Sequence, residues 1–243
     1  VSIFLTRRLL KRQLISLGMY WPTRKDIDIF KRLGGRTGVG FFIHGVLVVA
    51  LLSDTMLVSI LGGAKAVTEF YLVCKIAEAL VLLIWRIPES LTPYLVQMDA
   101  RGEQKALARV TRFGYFAIGI VSLTVGATYA LIGPHLVGFW VGESHAPTDP
   151  LSYALAGGVI FWLGLSRLPI VLASARVTLR QLNLAAGIEL SGKLFVTILL
   201  FPRLGYMSVL VAINLVHCLG VSFLYFRLLR LDHKRLNTIG QVR

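Results

Sequence analysis

The chain has 243 residues, 56% of them hydrophobic, and its mean hydropathy of +0.72 lies well outside the range of ordinary soluble domains. Its formal net charge of +14 would suggest a nucleic-acid partner for a soluble protein. The basic residues, however, are concentrated between long apolar segments, and no nucleic-acid-binding motif accompanies them. The composition therefore predicts an integral membrane protein without a nucleic-acid partner.

Residues 1–36 mix apolar and basic residues and cannot cross a membrane. Ile27, Phe30 and Leu33 have the spacing of a short amphipathic helix at the membrane interface, although a solvated basic linker explains the composition equally well. The chain also begins with Val1 instead of methionine, which suggests a piece of a longer protein. We predict that residues 1–36 form a basic cytoplasmic or interfacial linker.

Two apolar runs, residues 40–63 and 70–96, meet at a turn containing Gly62 and Gly63. Each run is long enough to cross a bilayer, which needs about 20 residues. Asp54 in the first run and Lys75 in the second lie at a similar depth, roughly 15 Å from the turn, so they could pair across a helical hairpin. A purely structural role explains the two charges equally well, because pairing neutralises them during insertion.

The second run carries a stripe of charges on one helical face. At 100° per residue its members fall within a sector of roughly 80°. These members are Tyr71, Lys75, Glu78, Arg86, Glu89 and Pro93. An ionisable group at the membrane centre costs at least about 2.5–3.5 kcal/mol, so the stripe should face a protein interior or a wet cavity.

Four further spans are predicted, at residues 114–133, 151–175, 182–200 and 206–231. The first of them has no charge and contains four glycines that favour close helix packing, Gly114, Gly119, Gly126 and Gly133. Residues 99–112 before it and 134–150 after it are predicted to be loops. The last three spans contain buried polar candidates, which are Arg167, then Glu189 and Lys193, then Asn214 and His217. Glu189 and Lys193 could neutralise each other four residues apart on one helix.

The basic residues also predict the topology. If the chain starts inside, 20 of its 26 Lys and Arg residues fall on inner segments and 2 on outer loops. We therefore predict an all-α polytopic protein with both ends in the cytoplasm. Residues 37–231 form a six-helix transmembrane lobe, and residues 232–243 form a cytoplasmic tail.

The chemistry of an enzyme is missing from the sequence. There is no acid pair for a metal-bound diphosphate, no nucleophile motif, no zinc motif and no phosphate-binding glycine loop. The two cysteines, Cys74 and Cys218, lie in apolar runs and predict neither a disulfide nor a metal site. We predict no metal, no cofactor and no catalytic activity, which disfavours an intramembrane transferase.

Several segments carry a family resemblance, namely Ser53–Gly62, Phe70–Ile76, Pro93–Leu95, Met98–Leu107 and Pro202–Tyr206. In them an Asp-containing helix ends at a Leu-Gly turn, a Tyr opens the next helix, and a Pro precedes a polar loop. The chain thereby resembles the Wzx-type O-antigen and exopolysaccharide flippases of the multidrug/oligosaccharidyl-lipid/polysaccharide superfamily. These proteins consist of two six-helix lobes, and the basic segment before the first span looks like the linker that joins them.

The resemblance implies the C-terminal lobe of a flippase in the bacterial cytoplasmic membrane. Such lobes rock to carry an undecaprenyl-diphosphate-linked glycan outward. The implied partners are the substrate, membrane lipid, a missing N-terminal lobe or second copy, and glycan-assembly enzymes. The substrate path would contain Lys75, Arg86, Arg167, Lys193, Asn214 and His217. Asp54, Glu78, Glu89 and Glu189 would balance charge and are candidates to carry a coupling cation. Asp54 alone occupies a recognisable family position.

Two other functions explain the same features. A cation-coupled drug or metabolite exporter of this architecture would favour a carboxylate-dominated cavity, whereas acidic and basic residues in these spans nearly balance. A non-transporting scaffold of a glycan-assembly complex would use the buried charges only for structure.

Overall fold

The computed structural model describes the backbone of residues 24–175 and 179–221, and the side chains of residues 54–172 and 185–219. Regular structure in these ranges is entirely helical, so the predicted all-α class is confirmed there. The chain divides into two units, Val1–Phe42 and Ile43–Arg243. Its helices are α1 (Arg24–Ala100), α2 (Gln104–Val141), α3 (Pro150–Ala175), α4 (Leu179–Leu204) and α5 (Met207–Val216), which continues into a π-helical turn (His217–Val221).

Helix α1 is broken at Gly63, where the predicted hairpin turn lies. Gly63 has φ 70° and ψ −171°, a conformation that a residue without Cβ adopts without strain. Asp54 before the break and Cys74 after it are close enough to interact electrostatically. The two arms of α1 on either side of Gly63 therefore fold back on each other.

Helices α2 and α3 pack antiparallel in close contact. A Cβ added to Gly126 or Gly157 would collide with the carbonyl oxygen of the other residue, so only glycine fits at this crossing. Farther along the same contact, Gly114 faces Leu168. The packing role predicted for the glycines of α2 is confirmed, and it suits a membrane interior, where small residues let helices approach.

Two hydrogen bonds fasten the second arm of α1 to this helix pair. The Tyr129 hydroxyl of α2 donates to the Val73 carbonyl at 2.5 Å, and the Trp85 indole Nε1 donates to the Leu163 carbonyl of α3 at 2.9 Å. The arm turns its apolar residues, such as Val81 and Ile84, into the shared core. Because these residues lie on one side of the helix, the opposite side remains uncovered by the described part of the chain.

Helices α4 and α5 form a second hairpin, which turns at Gly205 with φ 53°. Gly192 of α4 lies against Val216 of α5. The Asn214 side chain donates hydrogen bonds to the carbonyls of Leu155 in α3, at 2.9 Å, and of Leu210 one turn earlier, at 2.7 Å. Asn214 thus joins α5 to α3.

Three segments are long and apolar enough to cross a membrane, Gln104–Val141, Pro150–Leu172 and Ala185–Leu204. Found among the described residues, these segments contain the third predicted span and most of the fourth and fifth, and the protein is therefore a helical membrane protein. The second predicted span falls in the helical second arm of α1. The first span includes residues 40–53 and the sixth continues past Val221, so both lie partly outside the described side chains. Residues 1–23 of the predicted linker and residues 232–243 of the predicted tail lie wholly outside the described residues.

Two predicted loops are shorter than expected. Residues 99–112 were predicted as a loop, but α2 already starts at Gln104, and the connection narrows to a turn around Gly102 with φ 71°. Residues 134–150 were also predicted as a loop, but α2 continues through Pro134 to Val141. The proline removes one backbone donor without ending the helix, because the turns on either side keep their own hydrogen bonds. Likewise, residues 24–36 of the predicted linker belong to α1.

Candidate functional site

A buried ion pair joins the first arm of α1 to α4. The Lys193 Nζ lies 2.6 Å from Asp54 Oδ1, and the two side chains are only 6% and 8% exposed. Opposite charges held this close in an apolar bundle neutralise each other, whereas either one alone would be costly to bury. Glu189 and Glu78 also lie close enough to act on Asp54 electrostatically.

A second polar pair lies one helical turn away on α4. His217 Nε2 is 3.3 Å from Glu189 Oε1, and the His217 side chain is 2% exposed. His217 is also the first residue of the π-helical turn, a distortion that is often found at functional sites. We refer to the buried residues Asp54, Lys193 and His217, together with Glu189, whose side chain is 19% exposed, as the buried cluster.

The charged stripe of α1 lies on the opposite side of the second arm from the core. Lys75 Nζ is 3.3 Å from Glu78 Oε2, and the two side chains are 50% and 51% exposed. The Lys75 ammonium also lies 5.5 Å from the centre of the Tyr71 ring. We call this surface the ionic face, which consists of Tyr71, Lys75, Glu78, Leu82, Arg86 and Glu89.

Two arginines share one carboxylate at the end of the ionic face. Arg167 Nη2 of α3 is 2.5 Å from Glu89 Oε1, and Arg86 Nη1 is 3.2 Å from Glu89 Oε2. Arg167 is 16% exposed and stacks over the Trp85 ring at 4.6 Å, whereas Arg86 is 79% exposed. This group therefore carries one more positive charge than negative charge, and Arg86 presents it at the surface.

Nine of the ten predicted site residues belong to two places. Four form the buried cluster, four belong to the ionic face, and Arg167 lies beneath that face through its contact with Glu89. Asn214 is apart from both groups and makes the helix contact described above. The assignment of these residues to a substrate path or to ion coupling stays a prediction.

The hypothetical pair between Asp54 and Lys75 does not form. Lys75 is paired with Glu78 one turn along its own helix, and Asp54 is paired with Lys193 of α4. Equal depth was a sound expectation, but the faces of the two arms decide the partners, and Lys75 points away from the core that Asp54 enters. Of the two residues expected to neutralise each other on α4, Lys193 pairs with Asp54 of α1, and Glu189 lies 3.3 Å from His217.

Two aromatic residues that organise the site, Trp85 and Tyr129, had no predicted role. Trp85 holds α3 through its indole and supports Arg167 with its ring, and Tyr129 holds the Val73 carbonyl. A signal was available, because Trp and Tyr in an apolar run bring a polar group that needs a partner once it is buried.

The fold and the charges define a helical membrane protein with a buried cluster inside its bundle and an ionic face on its outside. Comparisons of the chain with protein-family models, with curated proteins and with solved structures found no match. The site geometry is therefore the basis for a functional proposal.

Proposed function

We propose that the chain is one six-span lobe of a transporter that moves a lipid-linked oligosaccharide precursor across the bacterial cytoplasmic membrane by alternating access. The observation that carries this proposal is the ionic face. Its charged side chains are half or more exposed at Lys75, Glu78 and Arg86, although they lie on a helix within an apolar bundle.

Such a face is unsuited to lipid. Each ionisable group in the hydrocarbon core is expensive unless it borders protein or water. The core-facing side of the arm is already packed, so the ionic face is free to border a polar cavity. A second lobe of a longer chain, or a second copy, would cover the face and enclose that cavity.

The charge of the face favours an anionic head group. Lys75 and Glu78 cancel, whereas Arg86 and Arg167 share Glu89 and leave one excess positive charge. A guanidinium binds phosphate oxygens through two parallel hydrogen bonds, and the exposed Arg86 has donors available at the surface. A carrier for cationic drugs would instead need an excess of carboxylates here. Glycan-assembly enzymes remain proposed neighbours of such a transporter.

Replacing Arg86 by glutamine is expected to lower transport at least about tenfold, because one charge-assisted contact to a diphosphate contributes about 1.5–3 kcal/mol. The measurement is movement of a fluorescent undecaprenyl-diphosphate oligosaccharide in proteoliposomes that contain the full-length parent protein. Arg112→Gln is the matched control, because Arg112 is an exposed arginine on α2 and is not a member of the ionic face.

The outcomes of this experiment distinguish the flippase from the exporter and the scaffold. Unchanged transport in the Arg86→Gln protein would remove the ionic face from the path. Equal loss in the Arg112→Gln protein would reduce the effect to general surface charge. No transport by the parent protein would overturn the flippase proposal in favour of the scaffold, and transport of cationic drugs alone would favour the exporter.

A further inference from the structure

We propose that the Glu189–His217 pair is an exchangeable proton-binding site inside the bundle, distinct from the ionic face, and that its proton drives transport. The coupling of this proton to transport rests on the proposed function. The proton-binding site concerns only the chain itself and is tested separately.

The geometry identifies where the proton binds. His217 is 1% exposed, and its Nε2 faces the Glu189 carboxylate at 3.3 Å. Within the described part of the chain, both ring nitrogens of His217 are buried and neither has a hydrogen-bond partner. A neutral imidazole carries a lone pair on one of these two nitrogens. A proton from water would bind there and convert the ring into an imidazolium beside Glu189, without any other reactant.

The charges of the buried cluster favour this proton. Among the described residues, Asp54 and Lys193 cancel, and so do Lys75 and Glu78 on the ionic face. Glu189 then leaves the cluster with one negative charge while His217 is neutral. One bound proton makes the cluster neutral, which is the state an apolar bundle accommodates best.

Two further features indicate a polar site that can change its state. The hydroxyl of Thr197, one turn beyond Lys193 on the same face of α4, is fully buried without a hydrogen-bond partner among the described side chains. The backbone changes from α-helical to π-helical at His217, so the ring sits where the helical hydrogen bonds are already rearranged. A charge change at this point can alter how α5 packs on α4.

The test is an NMR titration of the protein in nanodiscs with ¹⁵N-labelled histidine, over roughly pH 5–9, the range in which histidine charge changes in proteins. The chain has five histidines, and His217→Gln identifies the signals of His217 by their disappearance. The expected result is a reversible change of the His217 ring signals from neutral to charged within this range. Signals that stay neutral, or stay charged, throughout the range would overturn the proposal.

A variant tests the role of the carboxylate. In the Glu189→Gln protein, His217 should bind its proton at least about tenfold more weakly, because the neighbouring negative charge is gone. Glu143→Gln, an exposed carboxylate of the outer connection, should leave proton binding at His217 unchanged. An unchanged titration in the Glu189→Gln protein would contradict a proton site shared by Glu189 and His217. If this variant fails to fold, the titration of the unmodified protein tests the proposal.

The coupling role has its own readout. In proteoliposomes a pH gradient should accelerate transport by the unmodified parent, and this acceleration should be absent from the His217→Gln protein. Acceleration that persists in the His217→Gln protein would overturn the coupling role. If the parent transports nothing, the proposed function fails, whereas the proton site still stands or falls by the titration.

Discussion

Replacing Lys193 by methionine is expected to lower the free energy of unfolding by about 3–5 kcal/mol, because it leaves the Asp54 carboxylate buried without its partner at 2.6 Å. Methionine has a similar length, so the loss of the charge dominates over the loss of volume. The measurement is equilibrium unfolding in mixed micelles. Combining Lys193→Met with Asp54→Leu should restore most of the lost stability, because the double variant leaves neither charge of the pair unpaired.

Lys75→Met is the matched control for this prediction. Lys75 also pairs with a carboxylate, but its side chain is 50% exposed. Exposed pairs contribute about 0–1 kcal/mol, so the control should stay within this range. Similar losses for Lys193→Met and Lys75→Met would show that the Asp54 pair contributes no more than a surface pair.

Replacing Arg167 by glutamine is expected to destabilise the bundle by about 2–4 kcal/mol. The change removes a charge-assisted hydrogen bond to Glu89 and a stacked contact over Trp85 in a side chain that is 16% exposed. Arg86→Gln removes an arginine from the same carboxylate, but its side chain is 79% exposed. The expected stability loss for Arg86→Gln is below about 1 kcal/mol.

Arg167 and Arg86 are therefore expected to affect different measurements. Unfolding in micelles should single out Arg167, and the transport assay should single out Arg86. If Arg86→Gln destabilised the protein as much as Arg167→Gln, its effect on transport would have a structural cause, and Arg86 would lose its proposed role at the ionic face.

Helical periodicity predicted which residues share a face. The turn at Gly62-Gly63, the charged stripe of α1 and the packing glycines of α2 were predictable, because each of these features depends on residue spacing within one segment. Every member of the buried cluster was also predictable as a charged or polar residue within an apolar run, because burial cost makes such residues conspicuous.

Partners across the bundle could not be predicted in the same way. Asp54 meets Lys193 and Glu89 meets Arg167 because α1, α3 and α4 pack with particular rotations, and no local pattern specifies those rotations. Equal depth within the hairpin predicted a pair between Asp54 and Lys75. Lys193, which pairs with Asp54, belongs to α4 and lies outside that hairpin. The change to π-helix at His217 likewise depends on contacts with neighbouring helices.

The most direct test of the central claim asks whether the ionic face borders water. Leu82 lies within this face between Glu78 and Arg86, and it can be replaced by cysteine without removing a charge. Leu123 on α2 is its matched control, because the two leucines are 54% and 57% exposed and Leu123 has no charged stripe around it. Both variants carry Cys74→Ser and Cys218→Ser, and the reaction rate with a charged, membrane-impermeant thiol reagent is measured in native membranes. We expect Leu82→Cys to react at least about tenfold faster than Leu123→Cys, because the charged thiol reagent reacts in water and not in lipid. Equally slow reaction at both positions would mean that the ionic face does not border water, and it would contradict a transport path along α1.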